Sequence, residues 1–81
     1  MEIESKLRKF ILENYLFTDD ESALDNESSF LDQGIIDSTG ILELIFFLEE
    51  TFGVKVEDEE MIPDNLDSVS NVIKFVNTKL N

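Results

Sequence analysis

The sequence predicts an all-α protein: a small antiparallel four-helix bundle of three main helices and one short one, with a long loop between helices one and two. Three observations carry this. Apolar residues recur at intervals of three and four in three separate segments. Those segments carry helix start or stop signals. The one stretch that alternates like a strand, Val54-Lys55-Val56, is too short and has no partner to satisfy its backbone groups.

Helix one, about residues 2 to 17, follows from Ile3, Leu7, Phe10, Ile11 and Tyr15 at helical spacing, with Glu2 and Glu4 in the first turn where the helix dipole favours negative charge. From Thr18 to Ser29 the periodicity fades into Asp, Glu, Ser and Asn, and the apolar pair Phe30-Leu31 returns before Gly34. A loop this long in a compact domain is functional or is pinned by its own apolar residues, here Leu24, Phe30 and Ile35 or Ile36.

Helix two starts near Asp37 or Ser38 and stops at Gly53, which can take the left-handed conformation that closes a helix. Its core stripe is Ile41, Leu44, Ile45, Leu48 and Phe52. The acidic Glu57 to Ile62 can form no more than a short helix, because Pro63 disfavours helical geometry in the residue before it. Asp67 or Ser68 caps the last helix, whose Val69, Val72, Ile73, Val76 and Leu80 share one face.

With 81 residues the chain is expected to form a single domain, residues 1–81, around one small core. Its net charge is -13, but 42% hydrophobic residues set it apart from a disordered acidic tail. Between Lys9 and Lys55 lie eleven carboxylates and no cation. Such a field repels nucleic acid and anionic membranes and attracts basic protein patches, so neither nucleic acid nor membrane is expected as a partner. Without histidine or cysteine there are no disulfides, no imidazole or thiolate chemistry and no zinc ligands of the usual type, and no metal site is expected. The longest apolar run, Leu44 to Leu48, is far below the roughly 20 residues of a membrane span. The acidic start, Met1 to Glu4, is unlike a signal peptide, and the expectation is a cytoplasmic monomer.

The chemistry concentrates at Gly34-Ile35-Ile36-Asp37-Ser38-Thr39-Gly40, where a serine stands at the mouth of helix two. One of Asp37 and Ser38 can serve simply as a cap, accepting hydrogen bonds from the first free backbone amides. An anion attached at a helix N-terminus is also stabilised by those amides and the dipole, which suits a phosphodiester on Ser38. A solvated carboxylate such as Asp37 is too weak a base to make Ser38 a nucleophile, so the site suits being modified and not modifying. Continuing from Ser38, Leu42 and Phe46 lie on one side of helix two beside Thr39, Glu43 and Glu50. Phe46 and Phe47 stand about 100° apart around the helix, and Phe46 is taken as the exposed one. This apolar pair ringed by carboxylates is a docking surface for a partner's hydrophobic groove with a basic rim, or else a cover for the long loop.

The Asp37-Ser38 pair, Gly34 three residues before it, Glu43-Leu44-Ile45 after it and the Phe52-Gly53-Val54 ending together resemble the acyl carrier proteins and related carriers of amino acids and peptides, over essentially the whole length. The resemblance implies a non-enzymatic carrier in which a phosphopantetheinyl transferase, using Mg²⁺, installs 4'-phosphopantetheine on Ser38, with Asp37 orienting the transferase and its metal. The thiol of the arm would carry acyl groups as thioesters. Helix two, with Thr39, Leu42, Glu43, Phe46, Glu49 and Glu50, would be read by acyl or aminoacyl ligases and acyl-transferring enzymes with basic docking patches, and the bundle interior would shelter the acyl chain. Thr39 departs from the leucine usual in fatty-acid carriers, and Gly40 is similar to carriers of D-alanine and other specialised groups.

The first reading is a free-standing carrier for fatty-acid-like, polyketide-like or related specialised chemistry, and its nearest variant carries aminoacyl or peptidyl groups. A different class is an acidic interaction module without a prosthetic group, in which Ser38 is a plain cap. A calcium-binding loop lacks the glycine an EF-hand turn needs, and isolated carboxylates offer little for an enzyme to work with.

Overall fold

The computed structural model describes residues 2–80, and among them all regular structure is helical. Helix α1 spans Glu2–Ile11 and runs on into a π-helical turn, Leu12–Leu16. Phe17 closes that turn in the left-handed region at φ 55°, with its amide donating to the Leu12 carbonyl. Helix α2 spans Ser38–Phe52 and is closed by Gly53 at φ 71°, whose amide donates to the Glu49 carbonyl. After a 3₁₀ turn at Asp58–Glu60 come the short α3, Pro63–Leu66, and α4, Val69–Leu80.

The short helix lies one step later in the chain than its expected place in Glu57 to Ile62. Those residues make only the 3₁₀ turn, and Pro63 starts α3 at its first position. There the missing N–H of proline costs nothing, because that amide has no intrahelical partner in any helix.

One core joins the helices. Leu7, Ile11 and Leu12 meet Leu44, Ile45 and Leu48 of α2, Leu66 of α3 and Val69, Val72, Phe75 and Val76 of α4. Leu80, placed on the core face from its spacing, is 52% exposed because it lies at the far end of α4, and the inward aromatic is Phe75. Between α1 and α2, Phe10 stacks on Phe47 with ring centroids 4.1 Å apart, and Tyr15 and Phe52 meet these rings edge-on. Val54 and Val56 are buried without forming a strand; the Val56 amide is satisfied by the Glu49 carboxylate at 3.0 Å.

The loop between α1 and α2 contains a 3₁₀ turn at Glu21–Ala23 and is anchored by Leu24, Phe30 and Ile36, all buried, whereas Leu31 faces solvent. Polar contacts fix its two halves. Arg8 donates to the Glu21 carboxylate at 3.0 Å and to Asn26, and Asn26 in turn donates to Glu4 at 2.8 Å. Asp67, at the junction of α3 and α4, accepts from the Ser29 hydroxyl and from the Leu31 amide at 3.0 Å, and its carbonyl accepts the Phe30 amide at 2.7 Å. Ser68 takes the capping role for α4 by accepting the Asn71 amide at 3.1 Å. The end of the long loop, which delivers the chain to Asp37, is thereby fixed to the bundle.

Candidate functional site

Asp37 has extended backbone geometry, and its Oδ1 accepts the amide of Gly40 at 2.8 Å. Asp37 is therefore the cap of α2, and Ser38, the first helical residue, is exposed with its hydroxyl outside the capping bond. Helix geometry leaves the amide of Thr39 without an intrahelical partner, so the Ser38 side chain shares the helix mouth with a free donor and the positive end of the dipole.

Gly34 and Gly40 serve different needs. Gly34 sits at φ 69° with open space around it, so its requirement is conformational. Gly40 is buried, and a Cβ there would lie 2.8 Å from Ile36 Cγ2 and 3.3 Å from both Asp37 Oδ1 and Tyr15 Cε1. The first turn of α2 is thus pressed against Ile36 and the Tyr15 ring.

Tyr15 was not among the site residues that sequence reasoning singled out. Its hydroxyl donates to Glu43 Oε1 at 2.7 Å and lies 3.3 Å from the Gly40 carbonyl. Burial first, then the hydrogen bond and charge of Glu43, push its phenol well above the ordinary tyrosine range, so it remains a donor at any physiological pH. The available signal was the pairing of an aromatic hydroxyl at the end of helix one with a glycine in the first turn of helix two, where helix propensity would favour almost any other residue.

Leu42 and Phe46 are 61% and 65% exposed, so they stand clear of the long loop. Together with Phe10, Tyr15 and Phe47 they line an open groove of about 540 Å³ between α1 and α2, edged by Asn14, Glu43, Glu50 and Thr51. Thr39 is exposed on the first turn of α2. Glu49 is placed apart from this group, partly buried, with its carboxylate bonded to the Val56 amide. On another side of α2, Ile41, Leu31, Met61, Ile62 and Leu66 line a small, almost wholly apolar depression of about 90 Å³.

The arrangement offers an exposed hydroxyl at a helix mouth without a base of its own, beside a carboxylate fixed by its capping bond. The family described as "Phosphopantetheine attachment site" matches residues 12–76. The chain belongs to the acyl carrier protein family. It is 32% identical over 80 residues to the acyl carrier protein of Petrotoga mobilis, covering 99% of this chain and 89% of that protein. It is 39% identical over 72 residues to the acyl carrier protein of Thermosynechococcus vestitus, covering 89% and 85%. Its cofactor is covalently attached 4'-phosphopantetheine, and it is a carrier, not a catalyst. As an acyl carrier protein it works with a phosphopantetheinyl transferase and with acyl-processing enzymes. Among the described residues no helix is long and apolar enough to cross a membrane.

Proposed function

We propose that this acyl carrier protein acts as a free-standing single domain over residues 1–81, that Ser38 is its phosphopantetheine attachment residue, and that it carries acyl intermediates between enzymes of a fatty-acid, polyketide or related specialised pathway. The observation that carries the attachment site is the division of labour at the helix mouth: Asp37 makes the capping bond to Gly40, and Ser38 is left exposed. Modification forms a phosphodiester at Ser38 Oγ and breaks the pyrophosphate linkage of coenzyme A. The serine proton and the Mg²⁺ are handled by the transferase, since this chain places no base on Ser38. The free amide and dipole at the start of α2 stabilise the resulting anion. Once attached, the group supplies a thiol that holds acyl cargo as a thioester.

In this reading Thr39, Leu42, Glu43, Phe46 and Glu50 meet the partner enzymes. The exposed apolar pair gives affinity, and the carboxylates give approach speed and orientation toward basic patches. Glu49, bonded to Val56, contributes charge more than contact. The apolar depression around Ile41, Met61 and Ile62 is where cargo methylenes would find cover. Neither nucleic acid nor membrane suits the acidic surface, and we take the protein to work as a cytoplasmic monomer.

The test is to incubate the protein with coenzyme A, Mg²⁺ and a phosphopantetheinyl transferase, and then locate the added group by peptide fragmentation. The group is expected on Ser38, and its appearance on another serine or threonine would contradict the reading. An aminoacyl or peptidyl cargo is the second reading, favoured by the small, buried Gly40 that resembles specialised carriers. Loading the modified protein in parallel with acyl-activating and aminoacyl-activating ligases separates the two.

A further inference from the structure

We infer that Tyr15 is a positioning residue for partner recognition: it holds one oxygen of the Glu43 carboxylate so that the other is presented, already oriented, to a cationic side chain of the transferase. The inference rests on the proposed role of Ser38. Tyr15 comes from the π-helical turn after α1, while Glu43 lies on α2 five residues beyond Ser38, so the contact joins two elements across the groove that runs beside the modification site.

Three observations converge on it. The Tyr15 hydroxyl bonds Oε1 of Glu43 at 2.7 Å, and the residue carrying that carboxylate is otherwise exposed. Gly40 is free of a Cβ where one would stand 3.3 Å from the Tyr15 ring, so the helix makes room for this side chain at its first turn. The ring itself is braced edge-on against Phe10, at 5.8 Å between centroids, which in turn stacks on Phe47. A phenol so braced gives the carboxylate one fixed neighbour. No cation of this chain forms an ion pair with Glu43 among the described residues; the three ion pairs are Lys6–Glu2, Arg8–Glu21 and Lys79–Glu60. The charge is left for an external guanidinium or ammonium group, and a carboxylate held in place loses less side-chain freedom on docking than a mobile one.

The test uses the whole apo protein and a phosphopantetheinyl transferase, with kcat and KM for the carrier measured separately. Tyr15→Phe keeps the ring and the net charge and removes only the hydroxyl. KM should rise about threefold to tenfold, the effect of freeing one long side chain, with kcat within a factor of about two. On a Glu43→Gln background, Tyr15→Phe should add nothing further, because the charge it positions is gone. An unchanged KM in Tyr15→Phe overturns the inference. So does a KM increase that persists in the double variant, which would mean that the tyrosine meets the partner itself or supports the fold generally. A fall in kcat at unchanged KM also overturns it, since Tyr15 would then be placing Ser38 and not Glu43. Failure of the unaltered protein to be modified at Ser38 would instead strike the reading beneath it.

Discussion

Asp37 Oδ1 accepts the Gly40 amide at 2.8 Å, across the one turn of backbone that contains Ser38. The cap of α2 and the candidate attachment residue are thus adjacent but separate, and their energetics should separate too. Asp37→Ala should cost about 0.5–2 kcal/mol of stability, the usual effect of losing a cap. Ser38→Ala should stay within about 0.5 kcal/mol of the unaltered protein. Urea unfolding of both variants checks this; equal losses would mean that the serine shares the capping role.

Gly40 is held small by its neighbours. In Gly40→Ala the new Cβ would meet buried Ile36 at 2.8 Å. The overpacking cost of about 1–3 kcal/mol exceeds the gain in helix propensity of about 1 kcal/mol. The variant should therefore melt at a lower temperature, and a higher melting temperature would show that Ile36 and Tyr15 give way freely.

Phe46 and Phe47 are neighbours with opposite assignments. Phe46 is 65% exposed, and Phe46→Ala should change stability by no more than about 0.5 kcal/mol while slowing transfer to or from partner enzymes. Phe47 is partly buried and stacks on Phe10, and Phe47→Ala should cost more, roughly 1–3 kcal/mol, through the lost stacking and apolar contact. Denaturant midpoints of the two variants, set beside their transfer rates, give the comparison, and the reverse order of stability would put the partner face on the wrong side of α2.

The hydrogen bond from Lys79 is the main cause holding the Glu60 carboxyl below its ordinary value of 4.5, helped by the Glu57 amide. A carboxyl with a lowered folded-state pKa adds stability that is complete above its unfolded value and is lost as the pH falls through the folded one. Glu60→Gln should thus lower the melting temperature at pH 7, and the gap to the unaltered protein should close as the pH falls through the lowered folded-state value of the Glu60 carboxyl. A gap independent of pH would show that the charge of Glu60 is irrelevant to its role.

Helix periods and the outward face of α2 were legible in the sequence because they depend on local spacing: Leu44, Ile45 and Leu48 are buried and Phe46 is exposed as the 3.6-residue repeat requires. The loop anchors Leu24 and Phe30 were legible as isolated apolar residues in a polar stretch. What escaped depends on contacts between distant segments. Asp67 or Ser68 reads as the cap of the last helix from sequence, and Ser68 takes that role, but nothing local announces that the Asp67 carboxylate ties down Ser29 and Leu31. The left-handed Phe17 carries no glycine to announce it, and the π turn before it shifts no apolar spacing enough to be seen. Pro63 holds Ile62 in extended geometry, as its effect on the preceding residue requires, but that it also starts α3 is not visible from that local rule. At the site, the serine and the acidic face were visible, while the tie between Tyr15 and Glu43, 28 residues apart, has no local signature.

Attachment of phosphopantetheine to Ser38 is tested most directly by the intact mass of the protein and of Ser38→Ala after the same treatment with coenzyme A, Mg²⁺ and a phosphopantetheinyl transferase. The unaltered protein should gain the mass of one phosphopantetheine group and Ser38→Ala, still folded by its helical melt, should gain none. An equal mass gain in both would contradict attachment at Ser38 and place it elsewhere.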